Sequence, residues 1–255
     1  MKISIITVAY NAADHIRSAI DAVLGQTYPD IEYIIVDGVS TDGTVDVVKS
    51  YGDRIAKFVS EPDKGIYDAM NKGIALATGD VVGILNADDF YTDDRVLERV
   101  ADCLSGTDVD ACFSDLVYVD ANNTDKVIRY WKSCPYQDGL FEKGWMPAHP
   151  TFFMKRWCYE KYGKFDLSIP IGTDFDLLFR MIHAHRIRTR YIPEILVKMR
   201  TGGESNKSIQ NIVRQNMTVI RTLKKHGVPV SPMFFIAKFS ERLGQFVTPF
   251  KSQKI

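Results

Sequence analysis

The sequence predicts an α/β fold with a mostly parallel sheet and helices on both faces. Two observations lead to this class. Short β-branched runs alternate without a break with segments that carry apolar residues at helical spacing, and such alternation produces parallel sheets with right-handed crossovers. Polar side chains also follow several of the early strands, at the sheet edge where folds of this class bind ligands.

The first half of the chain divides into four strands and the helices between them. Continuous β-branched or apolar runs mark the strands, and an apolar stripe at i, i+3, i+4 and i+7 marks the helices. A further helix is expected to begin near Asp93, after a turn. We expect strands at 2–8, 31–36, 55–59 and 81–85, and helices at 16–24, 44–51 and 66–77.

The strict alternation ends after Leu104. Two β-rich runs, at 111–119 and 127–131, flank the turn-rich sequence D-A-N-N-T-D and predict a hairpin. The remaining elements are a short strand, a short helix, a helix beginning near Asp174, a strand and a long helix. We expect them at 151–154, 157–162, 174–182, 191–199 and 206–226.

Composition excludes several classes of protein. The 255 residues contain 32 Lys and Arg and 32 Asp and Glu, so no net field favours nucleic acid. The four cysteines form no C-x-x-C pair, which indicates reduced thiols in a cytoplasmic protein. The N-terminal run indicates a first strand and not a signal peptide. The longest apolar run near the C-terminus, 233–237, is far shorter than the roughly 20 residues that span a bilayer.

The segment V-V-G-I-L-N-A-D-D-F at 81–90 is a buried strand followed by Asn86, Asp88 and Asp89, which we call the acidic turn. Two carboxylates beside a buried strand repel each other and lose hydration, so a cation is expected to meet them. A divalent metal ion is the partner that we predict. The alternative is a solvated turn that caps the following helix.

Other polar residues are expected at the same edge, because the carboxyl ends of parallel strands lie together. The sequence after the first strand, T-V-A-Y-N-A-A-D-H, lacks both glycine-rich phosphate-binding patterns. A bound diphosphate would therefore be held by a metal ion at Asp88 and by Lys64 or Lys72. Asp37 is placed to bind a ribose or a base, or else forms a turn before Gly38. The residues expected at this edge are Thr7, Tyr10, Asn11, Asp37, Gly38, Glu61, Asp63 and Lys64.

Several motifs together resemble the family 2 glycosyltransferases, which have the GT-A fold and use nucleotide sugars. They are V-D-G-V-S-T-D-G-T at 36–44, S-E-P-D-K-G-I-Y-D-A-M-N-K-G at 60–73, A-T-G-D at 77–80 and L-N-A-D-D-F at 85–90. H-P-T-F-F at 149–153 and G-T-D-F-D-L-L at 172–178 extend the match. Each motif is weak alone, but their order is specific for the family and not for a substrate.

The resemblance implies inverting transfer of a sugar, commonly from a UDP-linked donor, to an acceptor hydroxyl. It implies that Asp88 holds Mn²⁺ or Mg²⁺ against the diphosphate, with weaker contributions from Asp89 and Asn86. Hard cations of this kind prefer oxygen ligands. The sequence departs from the family at Asn86, where Asp is common, and at Met70, where Arg is frequent. The residues implied for the nucleoside pocket are Thr7, Tyr10, Asp37 and Asp63.

The resemblance also implies a catalytic base at Asp174, although Thr173 stands where the family often has Glu. Inversion needs a carboxylate that removes the proton of the attacking hydroxyl. The alternative is that Asp174 and Asp176 only stabilise the first turn of a helix. His149, between two prolines, is a candidate for acceptor contact, or else a loop residue with a structural hydrogen bond.

No Q-x-x-R-W motif occurs, so the resemblance implies one sugar per acceptor, in surface polysaccharide assembly. The expected partners are a nucleotide-sugar donor and a glycan or lipid-linked acceptor, without nucleic acid. The basic and aromatic tail after 229 has two interpretations: peripheral contact with the inner face of a membrane, or packing on its own domain or in a homodimer. We divide the chain into a glycosyltransferase domain at 1–203, with a nucleotide-binding half at 1–105 and an acceptor half at 106–203, and a helical extension at 204–255.

Two other functions are considered. A sugar-1-phosphate nucleotidyltransferase shares the architecture but needs a glycine-rich, arginine-containing loop after the first strand, which is missing here. A nucleotide-sugar-binding protein without catalysis is consistent with the departures at Asn86 and Thr173. Hydrolysis of a sugar donor distinguishes an enzyme from a binding protein.

Overall fold

The computed structural model describes residues 1–202 and 209–230, without the side chains of 209–212. Within these ranges nine strands form one sheet with helices on both faces. The strands are β1 Ile3–Ala9, β2 Ile31–Asp37, β3 Lys57–Ser60, β4 Val81–Ile84, β5 Asp89–Tyr91, β6 Ala111–Val119, β7 Val127–Trp131, β8 Phe153–Lys155 and β9 Thr189–Arg200. The helices are α1 Ile16–Leu24, α2 Thr44–Lys49, α3 Ile66–Leu76, α4 Val96–Leu104, α5 Arg156–Tyr162, α6 Thr173–Phe179 and α7 Ile209–Lys225.

The sheet is parallel in its first half and mixed in its second. Its strand order is β3-β2-β1-β4-β8-β6-β9-β5, and β7 pairs with β6 outside this path. Strands β3, β2, β1 and β4 are parallel, whereas β8 is antiparallel to both β4 and β6. The predicted α/β class with helices on both faces is confirmed, and the parallel part of the sheet is its first half. Over the described strands, four pairs are parallel and four are antiparallel. The predicted β6–β7 hairpin forms one of the antiparallel pairs.

The core occupies both faces of the sheet because alternate side chains of each strand point in opposite directions. Ile3 and Ile5 of β1 pack on one face with α1 and α4, and Ile6 and Val8 pack on the other with α3, α5 and α6. The second face also buries Val219 and Leu223 of α7. The first helix of the predicted extension therefore shares the core of the main domain.

Several local predictions were wrong in detail, among them the following three. The strand expected at 151–154 begins at Phe153, because Thr151 ends a 3₁₀ turn. The helix expected near Asp93 begins at Val96, and the Asp93 carboxylate accepts the Arg95 N–H at 2.8 Å just before it. Ile66, assigned to the apolar stripe of α3, is 51% exposed.

Strand β9 contains Pro193, which cannot donate a ladder hydrogen bond. Ser114 pairs with Ile192, but the next residue of β6, Asp115, pairs with Ile195. Pro193 therefore lies in a bulge, the position in a sheet interior where proline is tolerated. The bulge explains how the predicted strand around Pro193 forms.

Glu32 of β2 is a buried carboxylate that joins neighbouring segments. It accepts hydrogen bonds from the Ser4 hydroxyl at 2.6 Å, the Lys57 ammonium at 2.9 Å and the Thr78 N–H at 2.7 Å. Burial raises the pKa of Glu32, but these bonds outweigh burial and hold the pKa well below its ordinary value.

We expect Glu32→Gln to lower the free energy of unfolding by about 3 kcal/mol at neutral pH. The reason is that the Lys57 ammonium and the other hydrogen-bond donors lose the buried negative charge that they are paired with. The folded-state pKa lies below the unfolded value of about 4.3, so this stabilisation is complete above that value and is lost as pH falls. Urea denaturation should show the difference from wild type narrowing below about pH 4. Glu160→Gln, at an exposed ion pair, is the control, and a pH-independent difference would contradict the charged network.

Within the described ranges, no helix combines the length and apolar character needed to cross a bilayer. The basic and aromatic tail that the sequence analysis places after 229 lies outside the described residues from 231 onwards.

Candidate active site

The carboxyl ends of the four parallel strands meet at one edge of the sheet. Ala9 of β1 pairs with Asp37 of β2, and Asp37 pairs with Ser60 of β3. On the other side of β1, the Leu85 N–H just after β4 donates to the Ile6 carbonyl at 3.0 Å. The segments that follow these four strands therefore leave the sheet side by side.

The loops after β1 and β2 are tied to each other. The Asn11 N–H donates to the Ser40 hydroxyl at 2.8 Å, and the Thr41 N–H donates to the Asn11 side-chain carbonyl at 2.9 Å. Asn11 and Val39 have positive φ angles of 48° and 63°. Asn tolerates left-handed backbone, but this conformation is costly for the β-branched Val39 and clusters at functional sites. The loop after β2 is therefore held in a strained form.

Asp37 lies fully buried at the end of β2. Its carboxylate accepts the Ser40 N–H at 3.0 Å, the Ser60 hydroxyl at 2.6 Å and the Ser40 hydroxyl. These bonds give Asp37 the turn-forming role that was the alternative to binding a ribose or a base. Contact of Asp37 with a nucleoside stays a prediction.

Tyr10 and Asp63 flank the backbone of Gly38. A Cβ atom on Gly38 would lie 2.5 Å from Oδ2 of Asp63 and 3.4 Å from the Tyr10 ring. The Tyr10 ring is 69% exposed, and the other Asp63 oxygen accepts the Gly65 N–H at 2.8 Å. A side chain at position 38 would therefore displace the Asp63 carboxylate, and glycine leaves this backbone flanked by an aromatic ring and a carboxylate.

The remaining residues predicted for the nucleotide are less available. Thr7 is fully buried and accepts a hydrogen bond from the Tyr33 hydroxyl at 3.0 Å. The Lys72 ammonium pairs with Glu61 at 2.9 Å. Lys64 is exposed, near the start of α3. Thr7 is therefore a core residue, and the charge of Lys72 is neutralised by Glu61.

In the acidic turn, Asp89 is fully buried as the first residue of β5, whereas Asp88 and Asn86 are half-buried. Oδ2 of Asp89 accepts the Asn86 amide N–H at 2.8 Å. The Oδ1 atoms of Asp89 and Asn86 are buried without a hydrogen-bond partner. Burial raises the pKa of Asp89 well above its ordinary value, and the charge of Asp88 adds to the rise. These unpartnered oxygens are the ligand type that Mg²⁺ and Mn²⁺ prefer.

In the described part of the chain, no three His, Cys, Asp or Glu side chains form a group that could hold a metal ion. Mg²⁺ in nucleotide enzymes commonly keeps several waters and takes one or two carboxylates together with substrate phosphates. The acidic turn is therefore chemically suited to a cation that the donor itself helps to bind.

Arg200 lies beside the acidic turn. Strands β5 and β9 are antiparallel with Asp89 opposite Met199, so Arg200 falls next to Asp88. Its guanidinium donates to the Asp88 carbonyl at 2.7 Å and lies 4.7 Å above the Phe90 ring. Burial lowers the pKa of Arg200, while the Asp88 and Asp89 carboxylates oppose this effect.

A second cluster, which we call the base pocket, consists of Asp174, Tyr67, His149 and Phe165. The Tyr67 hydroxyl donates to Oδ1 of Asp174 at 3.3 Å. The Phe165 ring lies 5.3 Å from the Tyr67 ring and 5.6 Å from the His149 ring. Burial lowers the pKa of His149, and the Asp174 charge acts against it. The pocket therefore combines a half-buried carboxylate with an aromatic wall.

Asp176 has a structural role on the same helix. It is fully buried and accepts the Arg180 Nε–H at 2.8 Å. Arg180 also donates to the carbonyls of Tyr162 and Lys164, at 3.0 and 2.6 Å. This clamp holds the segment that leads to Phe165.

Three site residues escaped the sequence analysis. Tyr67 lies inside the motif at 60–73. The one sequence feature that could have indicated it is a tyrosine directly after Ile66, the first residue of the apolar stripe of α3. Phe165 is placed by hydrogen bonds between distant segments. Arg200 depends on the pairing of β9 with the three-residue strand β5, which no pattern in the sequence predicts.

Two cavities lie away from this edge. One, of about 290 Å³, is lined by residues before β2 such as Tyr28. The other, of about 260 Å³, lies between the end of α3 and α5 near Ile74 and Tyr159. Both are close to the amino ends of strands and contain none of the candidate site residues.

The described residues form an α/β fold whose mixed sheet carries the acidic turn and the base pocket. The sequence model described as "Glycosyl transferase family 2" matches residues 4–180. The chain belongs to glycosyl transferase family 2, as its motifs predicted, and is a glycosyltransferase.

Similar proteins support this assignment. A "PGL/p-HBAD biosynthesis glycosyltransferase" of Mycobacterium bovis (strain BCG / Pasteur 1173P2) is 30% identical over 207 residues, which cover 80% of this chain and 78% of that protein. Among solved structures, S. aureus TarS has a TM-score of 0.67 at 16% identity, covering 97% of this chain. This chain spans only 44% of the TarS chain.

A further solved structure is the mannosyltransferase PcManGT from Pyrobaculum calidifontis, in complex with GDP-Man and Mn²⁺. The match has a TM-score of 0.64 at 21% identity, and it covers 95% of this chain and 69% of the PcManGT chain. The likeness to TarS and PcManGT shows the fold, which is of the GT-A type.

Proposed function

We propose that this glycosyltransferase transfers single sugars, with inversion, from a UDP-linked donor to a hydroxyl of a glycan or lipid-linked acceptor in surface polysaccharide assembly, with Mn²⁺ or Mg²⁺ bound. The observation that carries the proposal is the pair of clusters described above: the acidic turn with Arg200, and the base pocket around Asp174. TarS has been solved with UDP-GlcNAc and PcManGT with GDP-Man and Mn²⁺, which supports a nucleotide-sugar donor.

The donor's nucleoside is proposed to bind against Tyr10 and Asp63, beside Gly38, with Asp37 and Thr7 shaping the pocket. The acidic turn would hold the metal through Asp88, with Asp89 and Asn86 as weaker ligands. The metal would act as a Lewis acid that stabilises the leaving diphosphate. Arg200 adds a guanidinium, whose donors suit phosphate oxygens.

Asp174 is proposed to receive the acceptor's proton. As the acceptor oxygen bonds to the anomeric carbon, the bond from that carbon to the diphosphate breaks and the proton passes to the carboxylate. His149 and Phe165 would form a wall for the acceptor. Attack from the face opposite the leaving group inverts the anomeric centre.

Arg200→Ala should weaken UDP binding by about tenfold, because a hydrogen bond to a charged group is worth roughly 1.5–3 kcal/mol. Lys72→Ala is the matched comparison, since Glu61 already neutralises the ammonium, and its effect should be smaller. Calorimetric titration with UDP in the presence of Mn²⁺ measures both. An equal or larger loss in Lys72→Ala would instead place the diphosphate over α3.

The nucleotide and sugar are tested by thermal shift with a panel of UDP- and GDP-sugars and Mn²⁺, since a ligand that binds the native state raises its Tm. Release of nucleotide from the donors that bind is then measured with water as acceptor. We expect a UDP-sugar to give the largest shift and slow hydrolysis. Stabilisation by GDP-sugars alone would contradict the proposed donor, and binding without any turnover would favour the non-catalytic alternative.

The chain is proposed to work at the cytoplasmic face of a membrane, where lipid-linked acceptors are found. Residues 231–255 mix aromatic with basic side chains, a composition suited to anionic lipid. We keep the proposed division at 203, with α7 as the first element of the extension, packed on the core through Val219 and Leu223. A homodimer through the extension is the alternative.

A further inference from the structure

Tyr67 connects two helices that are distant in sequence. It lies in the first turn of α3, and Asp174 lies in the first turn of α6, 107 residues further on. The Tyr67 hydroxyl donates to Oδ1 of Asp174 at 3.3 Å. Oδ1 is thereby occupied, which leaves Oδ2 for another partner.

The position of Tyr67 is fixed by its neighbours. Its ring packs 5.3 Å from that of Phe165. Asn71, one turn further along α3 and so on the same helix face, donates to the Phe165 carbonyl at 2.9 Å and accepts the Phe165 N–H at 3.0 Å. A single helix therefore carries both the tyrosine and the amide that holds the ring against it.

The charges around Asp174 favour a phenol that donates. Burial, followed by the Asp174 charge, raises the pKa of Tyr67 well above its ordinary value, although the backbone N–H groups of Thr173 and Asp174 oppose the rise. Tyr67 consequently keeps its proton at neutral pH. The other titratable group described beside Asp174 is His149, and Asp176 on the same helix is paired with Arg180.

We propose that Tyr67 is a positioning residue for the base: its hydrogen bond to Oδ1 fixes the rotation of the Asp174 carboxylate and directs Oδ2 towards the acceptor hydroxyl. This inference rests on the proposed role of Asp174. Tyr67 touches neither the donor nor the transferred proton, and acts through the carboxylate that it orients.

The test compares wild type with Tyr67→Phe, which keeps the ring and removes the hydroxyl. In protein labelled with ¹³C-aspartate, the carboxyl resonance of Asp174 should change its chemical shift at neutral pH, because the carboxylate loses a hydrogen-bond donor. The resonance is assigned by its loss in Asp174→Asn. Release of UDP from UDP-glucose to water should slow by about tenfold with unchanged UDP affinity.

Tyr191→Phe is the matched control, because it removes a phenol donor from a different carboxylate, Asp115, at 2.7 Å in the same core. It should leave the Asp174 resonance unchanged. Phe165→Leu keeps the Tyr67 hydroxyl but removes the ring beside it, so it should move the Asp174 resonance in the same direction by less, and it carries the test if Tyr67→Phe does not fold. Coincident Asp174 resonances for wild type and the folded variants would overturn the inference.

The spectrum needs no substrate, so the two proposals can fail separately. If Asp174→Asn retains the wild-type rate while Tyr67→Phe still moves the Asp174 resonance, the proposed base is wrong and the orienting contact stands. If Asp174→Asn is inactive and Tyr67→Phe leaves the Asp174 resonance unchanged, the positioning role alone is refuted.

Discussion

Replacing Asp174 with Asn is expected to abolish sugar transfer and to leave donor affinity close to that of wild type. Asn has nearly the same shape but cannot accept the proton of the attacking hydroxyl, and loss of a general base costs roughly 10²–10⁴-fold in rate. The base acts on the acceptor and not on the nucleotide, so binding of UDP with Mn²⁺ should change little. Transfer is measured as UDP release, and binding by calorimetry.

Asp138→Asn is a suitable control for this experiment, because Asp138 is an exposed carboxylate of the same half of the chain, paired with Arg186. It should transfer at the wild-type rate. Retained transfer in Asp174→Asn would refute the base. A large loss of donor binding would assign Asp174 to the nucleotide side of the site. Its position in the first turn of α6 would then reflect stabilisation of the carboxylate by the helix dipole.

Replacing Asp88 with Ala is expected to remove the metal dependence of UDP binding. If Asp88 is the main protein ligand of the cation, its loss should weaken UDP binding in Mn²⁺ by about 100-fold, the scale of two strong charged interactions. Binding of uridine, which has no phosphate, should be retained because Tyr10 and Asp63 are untouched.

Asp94→Ala tests whether any nearby carboxylate produces this effect, since Asp94 is exposed on the same segment. It should bind UDP as wild type does. An Asp88→Ala protein with unchanged affinity and unchanged response to Mn²⁺ would remove the metal from the acidic turn. The buried Asp89 and Asn86 oxygens would then need another partner.

The parallel half of the fold was predictable because β1, β2 and β4 are buried on both faces and its helices each bury one stripe. The run at 31–36 and the stripe at 16–24 have nearly the observed bounds of β2 and α1. The second half was less predictable because its order in the sheet depends on pairing between distant segments. Strand β5 has only three residues, and β8 separates β4 from β6.

The sequence predicted at which edge of the sheet the candidate site lies, but only some of the contacts within the site. Polar residues after successive strands located the edge, because the geometry of a parallel sheet brings those ends together. Whether each side chain is free is decided partly by contacts with other segments, which the local sequence does not encode. Asp37 is occupied by Ser40 and Ser60, and Lys72 is occupied by Glu61.

The central claim is that the acidic turn holds a cation shared with the donor's diphosphate. The most direct measurement is Mn²⁺ binding by electron paramagnetic resonance, with no addition, with uridine and with UDP. The account predicts that UDP strengthens Mn²⁺ binding and uridine does not, and that UDP binds poorly once EDTA removes the metal. Equal affinity for UDP with and without EDTA would contradict it.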